Sequence, residues 1–234
     1  GDHEVIIESP YHNDSFGEID DDKAFEIVAA YHLRYRELSR DKRLKLVKIF
    51  RNHGVEAGTS LEHPHSQIVA TPVVPLHIRH QLEEATRFYD NHGECVFCRL
   101  IDMELKVKSR VVTKEHGFLV IEPFASRMPF ETWVIPLEHH ATFGEIDAME
   151  LKGFAQVLNS TLKRFRKGLN DPAYNMIIRT APIGEEGEDY YHWHAQIIPR
   201  LTTPAGFELG TGVYINTSLP ERSAEFLRNV DLGN

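Results

Sequence analysis

The stretch GTSLEHPHSQIVATP, residues Gly58 to Pro72, carries His63, His65 and Gln67 at alternate positions and runs straight into Ile68-Val69-Ala70. Side chains two apart on a strand point to one face of it. Two imidazoles and an amide therefore share a face beside a Gly-Thr-Ser loop. The arrangement returns as HWHAQIIPR, where His192, His194 and Gln196 lead into Ile197-Ile198. A pattern this specific, met twice in one chain, makes the fold a question of internal repeats.

The flanks of the two stretches repeat as well. His12 and His139 each stand four residues ahead of Phe-Gly-Glu-Ile-Asp, at Phe16 and Phe143. Asp20 and Asp147 suit a helix N-cap. Each opens an amphipathic pattern, in the second copy Leu151, Phe154, Leu158, Leu162 and Phe165 at helical spacing. A strand ending in arginine follows, LVKIFRN against YNMIIRT, which sets Arg51 against Arg179. A Gly-bearing loop and the His-rich strand close each copy. The reading is an α+β chain of two tandem, pseudo-symmetric units, each strand, helix, strand, loop, strand, forming one mostly antiparallel sheet with flanking helices. The first unit covers residues 1–80 and is short at its start; the second covers 81–234. PLHIRHQLEEATRFYDNHGE reads as a helix and linker between them. Val111-Val112, Phe118 to Ile121 and Thr132 to Ile135 read as strands.

The chain has 234 residues, 41% of them hydrophobic and 26% charged, which is globular composition. Its net charge of -9 argues against binding nucleic-acid backbones, which rests on positive charge. An anionic small molecule held by a local site stays open. No apolar run reaches the ~18 residues of a membrane span, and no signal-peptide pattern stands at the start. Two cysteines make no disulfide framework, so a cytoplasmic protein is expected. The sequence begins at Gly1 and opens directly into HEVIIESP, a strand, which leads us to expect further residues upstream.

Both cysteines lie in ECVFCRL, as Cys95 and Cys98. Thiolates at this spacing chelate one tetrahedral ion, with zinc the default. The second copy offers His139 and His192 to complete a Cys2His2 set. A redox pair or two buried thiols are the alternatives. The first copy has the matching His12 and His63 without cysteines. The repeat therefore predicts another Cys-x-x-Cys upstream of Gly1.

Ligation by His63 leaves His65 free, on the same strand face. The loop NHGVEAGTS before it offers backbone amides and the Ser60 hydroxyl to a phosphate. A neutral imidazole attacks phosphorus and forms a covalent intermediate. Gln67 can donate its amide to a phosphoryl oxygen as charge moves. Ordinary strand histidines on a part-exposed face are the bland alternative.

The His-φ-His-φ-Gln-φ-φ pattern is a variant of the histidine triad signature, and NHGVEAGTSLEHPHSQ resembles the active-site segment of the galactose-1-phosphate uridylyltransferase family, the branch of that superfamily built from two units. The resemblance extends over nearly the whole chain. It implies ping-pong transfer of UMP from UDP-glucose to galactose 1-phosphate through a uridylyl-histidine, with His65 as nucleophile and His63 as a zinc ligand beside it. Asn52, Ser60 and Gln67 resemble residues that contact the phosphates; Arg51 joins them on charge alone. The resemblance also implies a homodimer in which AGFELGTGVYIN, with Phe207 and Glu208, approaches the sugar across the interface. In the second copy, the loop before His194 carries Glu185, Glu186, Glu188 and Asp189, which would repel phosphate, so His194 reads as structural.

The tail HWHAQIIPRLTTPAGFELGTGVYINTSLPE also resembles a plant-like branch that transfers AMP from ADP-glucose to phosphate. A simpler histidine triad hydrolase would have one unit per chain. A zinc-stabilised nucleotide-binding module without catalysis is the reading from a different class.

Overall fold

The computed structural model describes residues 1–233. Eight strands and six helices follow in the order β1 (Asp2–Ile7), α1 (Asp21–Ser39), β2 (Leu46–His53), β3 (His65–Thr71), α2 (Leu76–His92), α3 (Val96–Val107), β4 (Val111–Glu115), β5 (Phe118–Ile121), β6 (Thr132–Pro136), α4 (Ala148–Leu169), β7 (Tyr174–Arg179), β8 (His194–Pro199), α5 (Gly206–Thr211) and α6 (Pro220–Arg228). The strands form one antiparallel sheet in the order β1-β3-β2-β7-β8-β6-β5-β4. Read from its centre, that order is symmetric. β2 pairs with β7, and each is followed outward by its His-rich strand, β3 or β8, and then by β1 or β6. The hairpin β4–β5 extends the second unit further.

The alternation along β3 and β8 decides what each face of the sheet carries. Ile68 and Ala70 point one way with Ala195, Ile197 and Trp193, into a core shared with α1 and α4. Trp193 is enclosed there by Phe118, Phe143 and Phe154, with ring centroids 6.1, 5.1 and 5.2 Å away. Helix α1 buries Ala24, Ile27, Val28, Tyr31, Tyr35 and Leu38 on it, and α4 buries Leu151, Phe154, Leu158, Leu162 and Phe165. The caps stand where the sequence places them. Asp20 accepts from the Lys23 amide, and Asp147 from those of Met149 and Glu150.

The opposite face holds His65, Gln67, His194 and Gln196. Over the second unit it is covered by α2 and α3, through Ile78, Leu82 and Ala85 on one and Ile101 on the other. No helix among the described residues packs on its β1–β3 end, and Gln67, Val69 and Thr71 stay part-exposed. The joining helix lies where expected. Helix α3, which begins immediately after Cys95, and the terminal α5 and α6 carry no repeat partner and were not legible from the repeat. No helix among the described residues is long and apolar enough to cross a membrane.

The repeat also needs one correction. Matching the strand-end arginines sets Arg51 against Arg179, but the pairing does not. Phe50 lies opposite Gln67, whereas Ile177 lies opposite Gln196. Arg179 thus occupies the place of Asn52. A slip of one residue turns a strand side chain to the other face. Arg51 accordingly points into the α1 side while Arg179 lies on the face with Gln196.

Candidate active site and metal centre

Strand β3 delivers His65 to the rim of a cavity of about 370 Å³. His12, Arg51, Asn52, Thr59 and His63 line the same cavity. The Nδ1 of His65 lies 2.8 Å from the carbonyl oxygen of His63. A carbonyl only accepts, so Nδ1 carries the proton and Nε2 keeps its lone pair. The ring is oriented with Nε2 as the nitrogen left for a ligand. Two residues on, Gln67 Oε1 is 2.9 Å from Nε2 of His3 on β1. With its oxygen engaged, the amide nitrogen keeps both donors for another partner.

The loop over this cavity is shaped by glycine and tied down by the other unit. Gly54 and Gly58 both have φ +83°, and a Cβ on Gly54 would stand 2.6 Å from that of Ala173. Asn175 on β7 donates its amide to Asn52 Oδ1 at 2.7 Å and to the Ala57 carbonyl at 2.9 Å. Ser60 is exposed on this loop and does not line the cavity.

Arg51 lines the cavity but its guanidinium is committed. Its Nε lies 3.0 Å from both Glu8 carboxylate oxygens, and a terminal nitrogen donates to Tyr174 Oη at 2.6 Å. Both Arg51 and Glu8 are 2% exposed. Ser66 and Tyr31 hydroxyls also reach Glu8, at 2.5 and 3.0 Å. A buried pair saturated in this way costs several kcal/mol to break on one side (about 3–5). It anchors the strand residue next to His65.

Cys95, Cys98 and His139 bring their ligand atoms within 4.8 Å of one another. His192 Nδ1 is 3.6 Å from Cys98 Sγ, and His139 Nδ1 is 3.2 Å from it. Each imidazole has its other nitrogen on a carbonyl, His192 Nε2 on Pro136 and His139 Nε2 on Glu188, at 3.0 and 3.2 Å. Those bonds put the protons on Nε2 and leave both Nδ1 lone pairs facing the thiols, as metal-ligating histidines require. Donation from the Cys98 thiol lowers Cys95 below the ordinary thiol range, which makes it a thiolate-ready donor. Cys95, Cys98 and His139 can hold a metal ion, with His192 beside Cys98 as the candidate fourth ligand. In the first unit, His63 Nε2 lies 2.8 Å from the Ser9 carbonyl and its Nδ1 faces His12 Nδ1 at 3.4 Å. The half-site is the same without the thiols.

In the second copy of the His-x-His-x-Gln strand, His194 and Gln196 line a cavity of about 700 Å³ and are engaged by neighbouring side chains. The indole of Trp133 stacks on His194 with centroids 4.5 Å apart. Gln196 Oε1 accepts two bonds from Arg179, at 2.8 and 2.6 Å, and its amide donates to Glu131 at 2.6 Å. Burial lowers His194 to about 3, so it stays neutral. Glu131, Asn175 and His3 were not singled out in the sequence, and Arg179 was read only as the match of Arg51. The register of the sheet reveals their places. Phe207 and Glu208 sit on exposed α5, where Glu208 accepts from the Ala205 amide of its own helix start. They do not meet His65 within one chain.

The N-terminal domain of galactose-1-phosphate uridyl transferase matches residues 1–75, and its C-terminal domain matches residues 81–229. An ADP-glucose phosphorylase of Arabidopsis thaliana is 36% identical over 99% of this chain, which spans 65% of that protein's length. A galactose-1-phosphate uridylyltransferase of Thermotoga maritima is 31% identical over 98% of this chain and 74% of its own. The crystal structure of the Arabidopsis thaliana phosphorylase with bound ADP-glucose superposes with a TM-score of 0.90, at 35% identity, covering 98% of this chain and 73% of that one.

Proposed function

Because the chain belongs to the galactose-1-phosphate uridyl transferase family, we propose that it moves a nucleoside monophosphate from a nucleotide sugar to a phosphate-bearing acceptor through a covalent nucleotidyl-His65. One observation carries this: the Nδ1 bond to the His63 carbonyl, which leaves Nε2 of His65 as the nitrogen available for attack at a cavity. In the first half-reaction Nε2 attacks the α-phosphorus. The N–P bond forms as the bridging P–O bond breaks, and the hexose 1-phosphate leaves with the electron pair. In the second, a phosphate oxygen of the acceptor attacks the same phosphorus and returns the imidazole. Gln67 donates its amide to the phosphoryl oxygens as charge shifts onto them, and amides of the Gly54–Ser60 loop hold the phosphates with Asn52. Arg51 acts one step back, through Glu8 and Ser66, as a positioning residue.

The donor of first choice is UDP-glucose, with galactose 1-phosphate as acceptor. The second reading is ADP-glucose with phosphate, favoured by the higher identity to the phosphorylase, 36% against 31%. The metal at Cys95, Cys98, His139 and His192 is zinc, which would tie the start of α3 to the entry of β8 and take no part in the chemistry. His12 and His63 are the first unit's share of a matching site. The working protein is a homodimer, and Phe207 and Glu208 serve the partner's sugar site.

The test is to incubate the protein with UDP-glucose or ADP-glucose without acceptor and weigh it intact. A gain of one UMP or one AMP, absent in His65→Asn, is expected and names the base. No gain with either donor, or a gain that survives His65→Asn, would sink the reading.

A further inference from the structure

The seam where β2 meets β7 carries a second cavity, of about 410 Å³, on the face shared with His65. Its floor is apolar, from Phe50, Val69, Ile177 and Ile198. Its charged lining is Lys48, Arg179 and Arg200, with His77 from the first turn of α2. No aspartate or glutamate lines it. In a chain of net charge -9, cations collected without an acid among them need a reason.

The register sharpens the point. The paired register ends with Phe50 opposite Ile177; Lys48 and Arg179, each two residues further along its strand on the same face, both line the cavity. Like charges held close on one face of a sheet repel. Arg179 is partly satisfied by Gln196, with Glu131 close behind, and Arg200 donates to Asn175 at 2.5 Å. The ammonium of Lys48 has no hydrogen bond or ion pair among the described residues. Lys48 is half-buried, and desolvation together with the nearby Arg179 pushes it down to about 7. A bound anion would relieve both the desolvation and the repulsion.

We propose that this cavity is an anion site, taking a phosphate group between Lys48 and Arg179 while the rest of the ligand lies on the apolar floor. It is distinct from the cavity of His65, although Asn52 lines both, and it does not depend on the chemistry assigned to His65. The phosphate can be free or carried by a sugar.

Calorimetric titration with inorganic phosphate and, separately, with glucose 1-phosphate tests this on the parent chain, Lys48→Met and Lys48→Arg. At least one ligand binds the parent. Its affinity falls about tenfold or more in Lys48→Met and is restored in Lys48→Arg. Binding of phosphate alone identifies the free anion; binding only of glucose 1-phosphate identifies a phosphorylated sugar. Lys48→Met removes a repulsion and is expected to melt no lower than the parent, which verifies its fold. Titrations of Lys48→Met that superimpose on the parent's, or no binding of either ligand, would overturn the assignment.

Discussion

Glu122 shows how far a single side chain here departs from its exposed behaviour. It is buried beside Glu131, and one of its carboxylate oxygens has no hydrogen-bond partner. Burial first, and then Glu131, push it up to about 9 from its ordinary 4.5. The folded state therefore holds a proton that the unfolded chain releases. Its contribution is complete below about pH 4.5 and is lost as pH rises toward 9. Glu122→Gln should flatten this dependence. Melting followed by circular dichroism should find the variant close to the parent at pH 5 and clearly more stable at pH 8.5; parallel curves would show that Glu122 is ionised in the fold. Nothing in the sequence marks Glu122, since burial of a carboxyl is decided by which helix later packs over it. The histidines are the contrary case. His63, His65, His192 and His194 were legible because a chemical pattern was repeated, and each ring's tautomer then followed from a carbonyl in reach.

At the scale of elements, the loop from Gly54 to Ser60 depends on a strand of the other unit. Asn175 holds it by two donated bonds, and Arg200 holds Asn175. Losing buried hydrogen bonds of this kind costs about 1–3 kcal/mol. A loosened phosphate loop also loses rate out of proportion to its stability. Asn175→Ala should slow adduct formation on His65 on the order of tenfold or more, and speed amide exchange at residues 54–60, while the protein stays folded. Unchanged exchange in that segment would refute the coupling. The repeat predicted helices, caps and His-rich strands correctly because each is a local periodicity. It misplaced Arg179 against Arg51 because a strand-end arginine is a weak marker and strand faces alternate every residue. Only the pairing of Ile177 with Gln196 settled which arginine shares the face with Gln196.

For the whole molecule, the Cys95, Cys98, His139 and His192 cluster links segments far apart in sequence. A structural ion there stabilises the folded state in proportion to its affinity for it. The protein should carry about one zinc per chain by elemental analysis, and Cys98→Ser should carry much less. Chelation should lower the melting temperature of the parent by several degrees and leave Cys98→Ser nearly unmoved. A parent purified without metal, and indifferent to chelator, would mean that the thiols are merely packed. Their spacing was legible in the sequence; that both imidazoles present Nδ1 was not, because it follows from carbonyls at Pro136 and Glu188.

The β2–β7 seam gives the pseudo-symmetry a further meaning. Taken apart, each half would display an open strand edge, β2 in one and β7 in the other. Such an edge is a template for pairing. Neither half is a finished object, so the two are better regarded as a dimer written on one chain. The linker through α2 then sets the effective concentration at which its partners meet.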